Sequence, residues 1–174
     1  MSNILKKALF LDRDGVINIE KNYLYKIEDF EFMSGIMEVC KYYLDLGYII
    51  VVVTNQSGIA RGYYTQQDFD KLTSWMLLEF STKNINITKV YYCPHHPDIN
   101  KKCLCRKPEP GMLLDAKKEF NIDMKNSIMI GDKERDIEAA LNSGLSETYL
   151  LDVEKNSISS KATKIVNSLN EIWK

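Results

Sequence analysis

Long hydrophobic runs, a surplus of one charge and dispersed cysteines are all missing from this sequence. The longest apolar run, Tyr48 to Val53, falls far short of the ~20 residues that span a bilayer, so no membrane partner is expected. With 23 Lys and Arg against 24 Asp and Glu, the chain lacks the basic excess of a dedicated nucleic-acid binder, and no such partner is expected either. Lys6-Lys7 is followed only by Ala8 to Leu11 before Asp12 interrupts, too short for the apolar core of a secretory signal. Of the four cysteines and two histidines, five fall between Cys93 and Cys105; disulfide staples would be spread more widely. A reducing, cytoplasmic location is the expectation.

What is present is the composition of an ordinary globular protein, 45% hydrophobic and 27% charged. That excludes a disordered tail, a collagen-like chain and a coiled-coil rod. A chain of 174 residues can bury roughly 70% of the surface its unfolded form exposes. A single domain over 1–174 is expected, with a monomer as the default state.

Short apolar runs alternate with helix-periodic segments. Ala8–Leu11, Tyr48–Val53, Lys89–Cys93, Ile128–Ile130 and Thr148–Leu151 read as strands. Ile36–Leu46, Gln66–Phe80, Gly111–Phe120, Glu134–Asn142 and a closing segment Ala162–Trp173 read as helices. The alternation predicts an α/β fold, a Rossmann-like parallel sheet of about five strands with helices on both faces. Asn18–Ser34 and Pro94–Pro110 stay irregular, and loops that long inside a compact domain are usually functional. In open α/β sheets the site lies beyond the carboxyl ends of the strands.

Asp12-Arg13-Asp14-Gly15 follows the first strand. Residues i and i+2 face one side, so both aspartates can meet one site while Arg13 points away and Gly15 permits a sharp turn. Two close carboxylates repel unless a cation separates them, which invites Mg²⁺; one could then act as nucleophile and the other as proton shuttle. The same four residues also suit a solvated turn. Thr54-Asn55-Gln56-Ser57-Gly58 after the second strand offers donors for a phosphate, or an ordinary polar loop. After the fourth strand, Gly131 allows close approach to a ligand, and Asp132 is placed to complete a Mg²⁺ shell. Asp136 lies one turn on, where a carboxylate also suits the helix dipole.

Cys93-Pro94-His95 and Cys103-Leu104-Cys105 supply three sulfurs and an imidazole, a closed structural Zn²⁺ set. His96 is expected to face solvent and Cys40 to be a buried core thiol. Arg106-Lys107-Pro108 follows at once, two cations that a metal-tied loop could aim at a phosphate, although Lys101 and Lys102 nearby suit a solvated basic turn.

In order and placement these motifs resemble the phosphatases of the haloacid dehalogenase superfamily over nearly the whole chain. Cys-Pro-His…Cys-x-Cys-Arg-Lys-Pro resembles the branch acting on histidinol phosphate and heptose bisphosphate. Asp12 to Asn18, Asn55 to Gly62, Gly131-Asp132-Lys133 and Asn22-Tyr23 through Phe32 look like its heptose side. The short His95–Cys103 loop is nearer the histidinol type, and Val16 stands where the family often has Thr.

The resemblance implies that Asp12 is the nucleophile and Asp14 the acid and base. It implies Mg²⁺ on Asp12, the Asp14 carbonyl and Asp132, with Asp136 around those ligands. Thr54 and Lys107 would hold the phosphoryl oxygens. Arg106, Lys133 and the Asn55-Gln56-Ser57 loop would recognise a small sugar phosphate, and Glu20, Lys21, Asn22 and Tyr23 would line the mouth. Both irregular segments would be flaps, with no large cap domain. A phospho-accepting signalling domain and a zinc-anchored nucleic-acid module are the readings from other classes.

Overall fold

Alternate residues of each short apolar strand bury on opposite faces of one sheet, and that parity divides the core in two. The structure, a computed structural model, describes residues 4–156 and 159–173. Its strands are β1 (Ala8–Leu11), β2 (Ile49–Asn55), β3 (Ile87–Cys93), β4 (Ile128–Gly131), β5 (Glu147–Leu151) and β6 (Lys164–Val166). Its helices are α1 (Ile36–Asp45), α2 (Gln66–Thr82), α3 (Gly111–Phe120) and α4 (Glu134–Ser143). All neighbouring strands are parallel, in the order β3-β2-β1-β4-β5-β6.

Leu9, Leu11, Ile50, Val52 and Ile130 pack with Ile36, Val39 and Tyr43 of α1 and Met76 and Phe80 of α2. Ala8, Phe10, Val51, Val53 and Met129 pack on the other face with Met112, Leu113 and Ala116 of α3 and Ala139 and Ala140 of α4. Strands covered on both faces read as continuous apolar runs for this reason. Cys40 lies in the first core, fully buried as expected, and burial pushes its thiol up to about 12. α2 starts at a capping box, in which Thr65 and Asp68 exchange side-chain and backbone hydrogen bonds. α4 stops at Gly144, whose φ of 94° suits only glycine without strain.

The closing segment departs from expectation. Instead of a helix over Ala162–Trp173, the β-branched pair in Lys164-Ile165-Val166 adds a sixth strand to the open edge of β5. Thr163 and Thr148 donate backbone N–H groups to each other's hydroxyl oxygens, at 3.1 and 3.0 Å, just ahead of the pairing. Val166 is fully buried, and a single 3-10 turn, Leu169–Glu171, follows. Helical periodicity loses here because an unpaired strand edge offers backbone partners that a short helix would leave unused.

The order in which strands are added switches from one side of β1 to the other at β4, so the carboxyl ends of β1 and β4 open a crevice. Asn18–Ser34 folds over it as a narrow flap closed by Ile19 N–H to Glu31 O, 2.9 Å, and Met33 N–H to Ile17 O, 2.8 Å. Among the described residues, neither irregular segment holds more than the single 3-10 turn Ile27–Asp29. Nor is any helix long and apolar enough to cross a membrane.

Candidate active site and metal centre

Asp12 leaves β1 and Asp132 leaves the adjacent β4, so the sheet itself sets these two carboxylates side by side. Gly15, at φ 84°, turns the chain beneath them; a Cβ there would lie 2.3 Å from Asp132 Oδ2. Asp136 caps α4 by accepting from Lys133 N–H at 3.0 Å. Gly131 is needed for Asp136 rather than for a ligand, since its Cβ would sit 2.3 Å from that of Asp136.

Lys107 enters this corner from the opposite side, almost fully buried. Its Nζ lies 3.0 Å from Asp12 Oδ1 and 2.8 Å from Asp136 Oδ1, and donates to Val53 O at 2.8 Å. Oxygens of Asp12, Asp132 and Asp136 all lie within 4.8 Å of one another. Burial pushes Asp12 up to about 8, against the pull of Lys107 and with Asp136 and Asp132 adding to the rise. Burial, then Asp136, lifts Asp132 to about 6. Burial alone would lower Lys107, but Asp12 and Asp136 outweigh it and hold it above its ordinary value. Lys133, outside the corner, adds a partner for Asp132 at 3.1 Å. Two buried carboxylates and a half-buried third facing one buried ammonium keep an excess of negative charge, and the donors are all hard oxygens; the set fits a divalent cation such as Mg²⁺.

Asp14 is held differently. Arg13 does not point away: it doubles back, is 1% exposed, and clasps its neighbour. Its Nε and Nη2 lie 3.2 and 2.9 Å from Asp14 Oδ1, and Nη2 is also 3.0 Å from Oδ2 and from Leu24 O. The guanidinium gains these partners and a place beside the Phe69 ring, which outweighs the alternation of the strand it follows. Asn18 Nδ2 donates to Asp14 Oδ1 at 3.1 Å and Gln56 Nε2 to Oδ2 at 2.9 Å. The Gln56 side chain is thus spent inside the protein, also donating to Thr54 Oγ1 at 2.8 Å and accepting from Tyr64 Oη at 2.5 Å. Asn55 is spent similarly, exchanging 3.1 Å bonds with the backbone N–H and carbonyl of Lys107.

Beyond β3, the sulfurs of Cys93, Cys103 and Cys105 lie 3.0–3.6 Å apart, and His95 Nδ1 is 3.6 and 3.4 Å from Cys93 and Cys105. All three thiols are free. The edge of a tetrahedron around a zinc with ~2.3 Å sulfur bonds is ~3.8 Å, so the set fits Zn²⁺ after a small expansion. Arg106, next along, donates from Nη1 to His95 O at 3.1 Å, tying the loop to the cleft. His96 is not in solvent. It is 9% exposed, with Nε2 2.6 Å from Arg61 Nη2.

A cleft of about 340 Å³ joins these parts, lined by Asp12, Asp14, Glu20, Asn22, Tyr23, Asn55, Gln56, Ser57, Arg106 and Lys133. Thr54 is fully buried at its floor, beside Gln56. Asn22 and Tyr23 have positive φ, 46° and 58°, an uncommon conformation for a tyrosine. Lys21 lies elsewhere, its ammonium held by Asp29 O at 2.9 Å and Glu31 at 3.4 Å within the flap. Arg61, Tyr64 and Arg135, none of them an expected site residue, also line the cleft, and so does His96, which was expected to face solvent. Arg61 had a signal, a lone charge in a loop of small neutral residues; Tyr64 and Arg135 had none. A larger recess of about 580 Å³ adjoins the cleft across Glu20 and Lys133, with Gly15 and Asp132 in its wall. It lacks the aspartates of β1, so the chemistry belongs to the smaller cleft.

Residues 104–172 match the family model described as HAD-hydrolase-like. The D-glycero-alpha-D-manno-heptose-1,7-bisphosphate 7-phosphatase of Campylobacter jejuni is 57% identical over 149 residues, 86% of this chain and 84% of the relative. The D-glycero-beta-D-manno-heptose-1,7-bisphosphate 7-phosphatase of Helicobacter pylori is 49% identical over 146 residues, 83% of each chain. Among solved structures, the D,D-heptose 1,7-bisphosphate phosphatase of B. bronchiseptica, complexed with magnesium and phosphate, superposes with a TM-score of 0.84 at 26% identity. That match covers 95% of each chain.

Proposed function

Because this chain belongs to the heptose 1,7-bisphosphate 7-phosphatase family of haloacid dehalogenase-like hydrolases, we propose that it removes the C7 phosphate of D-glycero-D-manno-heptose 1,7-bisphosphate in the cytoplasm. The observation that carries this reading is that Asp12 and Asp14 face one polar cleft at the carboxyl ends of parallel strands, with the buried Lys107 ammonium 3.0 Å from Asp12.

In this reading Asp12 attacks the C7 phosphorus in line, forming an aspartyl-phosphate as the bond to the sugar oxygen breaks. Asp14 gives that oxygen a proton, then takes one from the water that hydrolyses the intermediate. Lys107, beside Asp12 Oδ1, keeps positive charge where the phosphoryl group arrives, and the Thr54 hydroxyl donates to its oxygens. A Mg²⁺ held by Asp12, Asp132 and the Asp14 carbonyl would neutralise charge on the transferred group, with Asp136 steadying Lys107 at the rim of that set. Arg106, Lys133, Ser57 and the flap residues Glu20, Asn22 and Tyr23 contact the sugar or its second phosphate. A Zn²⁺ on Cys93, His95, Cys103 and Cys105 would brace the loop that presents Arg106 and Lys107.

Phosphate release from the two heptose bisphosphate anomers and from histidinol phosphate tests the reading. The expected order puts kcat/KM for a heptose bisphosphate at least about tenfold above histidinol phosphate, a difference of ~1.4 kcal/mol in transition-state binding. A preference for histidinol phosphate would overturn the assignment.

A further inference from the structure

Asp14 has to change protonation state twice in each turnover, yet its carboxylate sits in a seat built by residues with no part in the reaction so far. Five hydrogen bonds reach it, three from Arg13 and one each from Asn18 and Gln56. Arg13 and Asn18 are fixed by the turn that carries Asp14. Gln56 alone comes from another strand end, and its amide can face either way. Turned over, it would set Oε1 against the Asp14 carboxylate, two acceptors with no hydrogen between them. The Tyr64 hydroxyl reinforces the productive orientation by donating to Oε1 at 2.5 Å, which leaves both Nε2 hydrogens for Asp14 and Thr54.

The fold invests in that hydroxyl. Gly58 has no side chain where a Cβ would meet the Tyr64 ring at 2.1 Å. The ring also stacks on Tyr25, centroids 5.6 Å apart. Gln56 and Tyr64 are 2% and 6% exposed, so water does not compete for their bonds. Burial pushes the phenol up to about 12, which keeps it a donor.

We infer that Tyr64 and Gln56 act in series as positioning residues for Asp14, the phenol orienting the amide and the amide holding the carboxylate in line with the leaving oxygen. The inference rests on the reading of Asp14 as acid and base.

Leaving-group dependence tests it, because a sugar alkoxide needs a proton as it departs and p-nitrophenolate does not. In Tyr64→Phe, kcat on heptose 1,7-bisphosphate is expected to fall about tenfold, and in Gln56→Met about a hundredfold, with KM within about twofold. Single-turnover release of p-nitrophenolate from p-nitrophenyl phosphate should stay within about threefold of the parent in Tyr64→Phe, and in Gln56→Met, whose amide also holds Thr54, should fall at least about tenfold less than the heptose reaction. The double variant should lose no more than Gln56→Met alone, as residues in series do. Equal losses on both substrates, a rise in KM at constant kcat, or additive losses would overturn the inference. Asp14→Asn separates the two levels. If it too fails to discriminate between leaving groups, the reading of Asp14 falls; if it discriminates and the other variants do not, only the positioning chain falls. Melting curves confirm that Tyr64→Phe, which keeps the stacked ring, is folded.

Discussion

Asp12 is the residue on which the proposed chemistry turns, because it pairs with Lys107 and joins the acidic corner as Asp136 does, but unlike Asp136 it faces the cleft. Asp12→Asn should lower kcat by at least about a thousandfold while the protein stays folded, since the amide cannot form the acyl-phosphate. Gly131→Ala probes a different dependence. The added Cβ would lie 2.3 Å from that of Asp136, so the start of α4 must shift. The expected cost is about 2 kcal/mol, seen as a melting temperature lower by about 4–8 °C, together with a drop in kcat as Asp136 leaves Lys107. Asp12, Asp14, Thr54 and Asp132 were legible because each follows an apolar strand, and strand ends converge. Arg13, Gln56 and Tyr64 were not, because their roles depend on side chains folding back within turns, which no periodicity encodes. Gln56 and Asn55 read as open donors for the same reason; their amides are already spent on Asp14 and Lys107.

At the scale of elements, the loop after β3 and the last strand carry the two sharpest expectations. Cys103→Ser should reduce bound zinc from about one per chain, as four ligands imply, and should lower both melting temperature and activity, because the same loop delivers Lys107. Metal analysis of the purified protein beside a thermal melt checks this; full metal content and stability in the variant would refute the zinc assignment. The loop was legible from ligand crowding alone. The terminal segment was not: its helical spacing was real, but pairing with β5 takes precedence for a β-branched run beside an open edge. Val166→Ala should therefore cost about 2 kcal/mol in chemical denaturation, the value for a buried valine losing two methyl groups. A surface helix position would cost less than about 0.5 kcal/mol.

Over the whole molecule, near-neutral charge conceals a segregation of buried acids against a few placed cations. The parallel sheet order puts β1 and β4 together and makes that segregation a cleft. The class of fold was legible from alternation alone. The number of strands and the use of His96 and Arg61 at the rim depended on tertiary pairing. The central claim is regiospecific, removal of the C7 phosphate with the C1 phosphate left in place. Phosphorus-31 NMR of heptose 1,7-bisphosphate incubated with the protein and Mg²⁺ tests it most directly. The predicted result is loss of the C7 resonance, growth of inorganic phosphate and a constant C1 resonance, all abolished in Asp12→Asn. Loss of the C1 resonance first, or release that persists in Asp12→Asn, would contradict it.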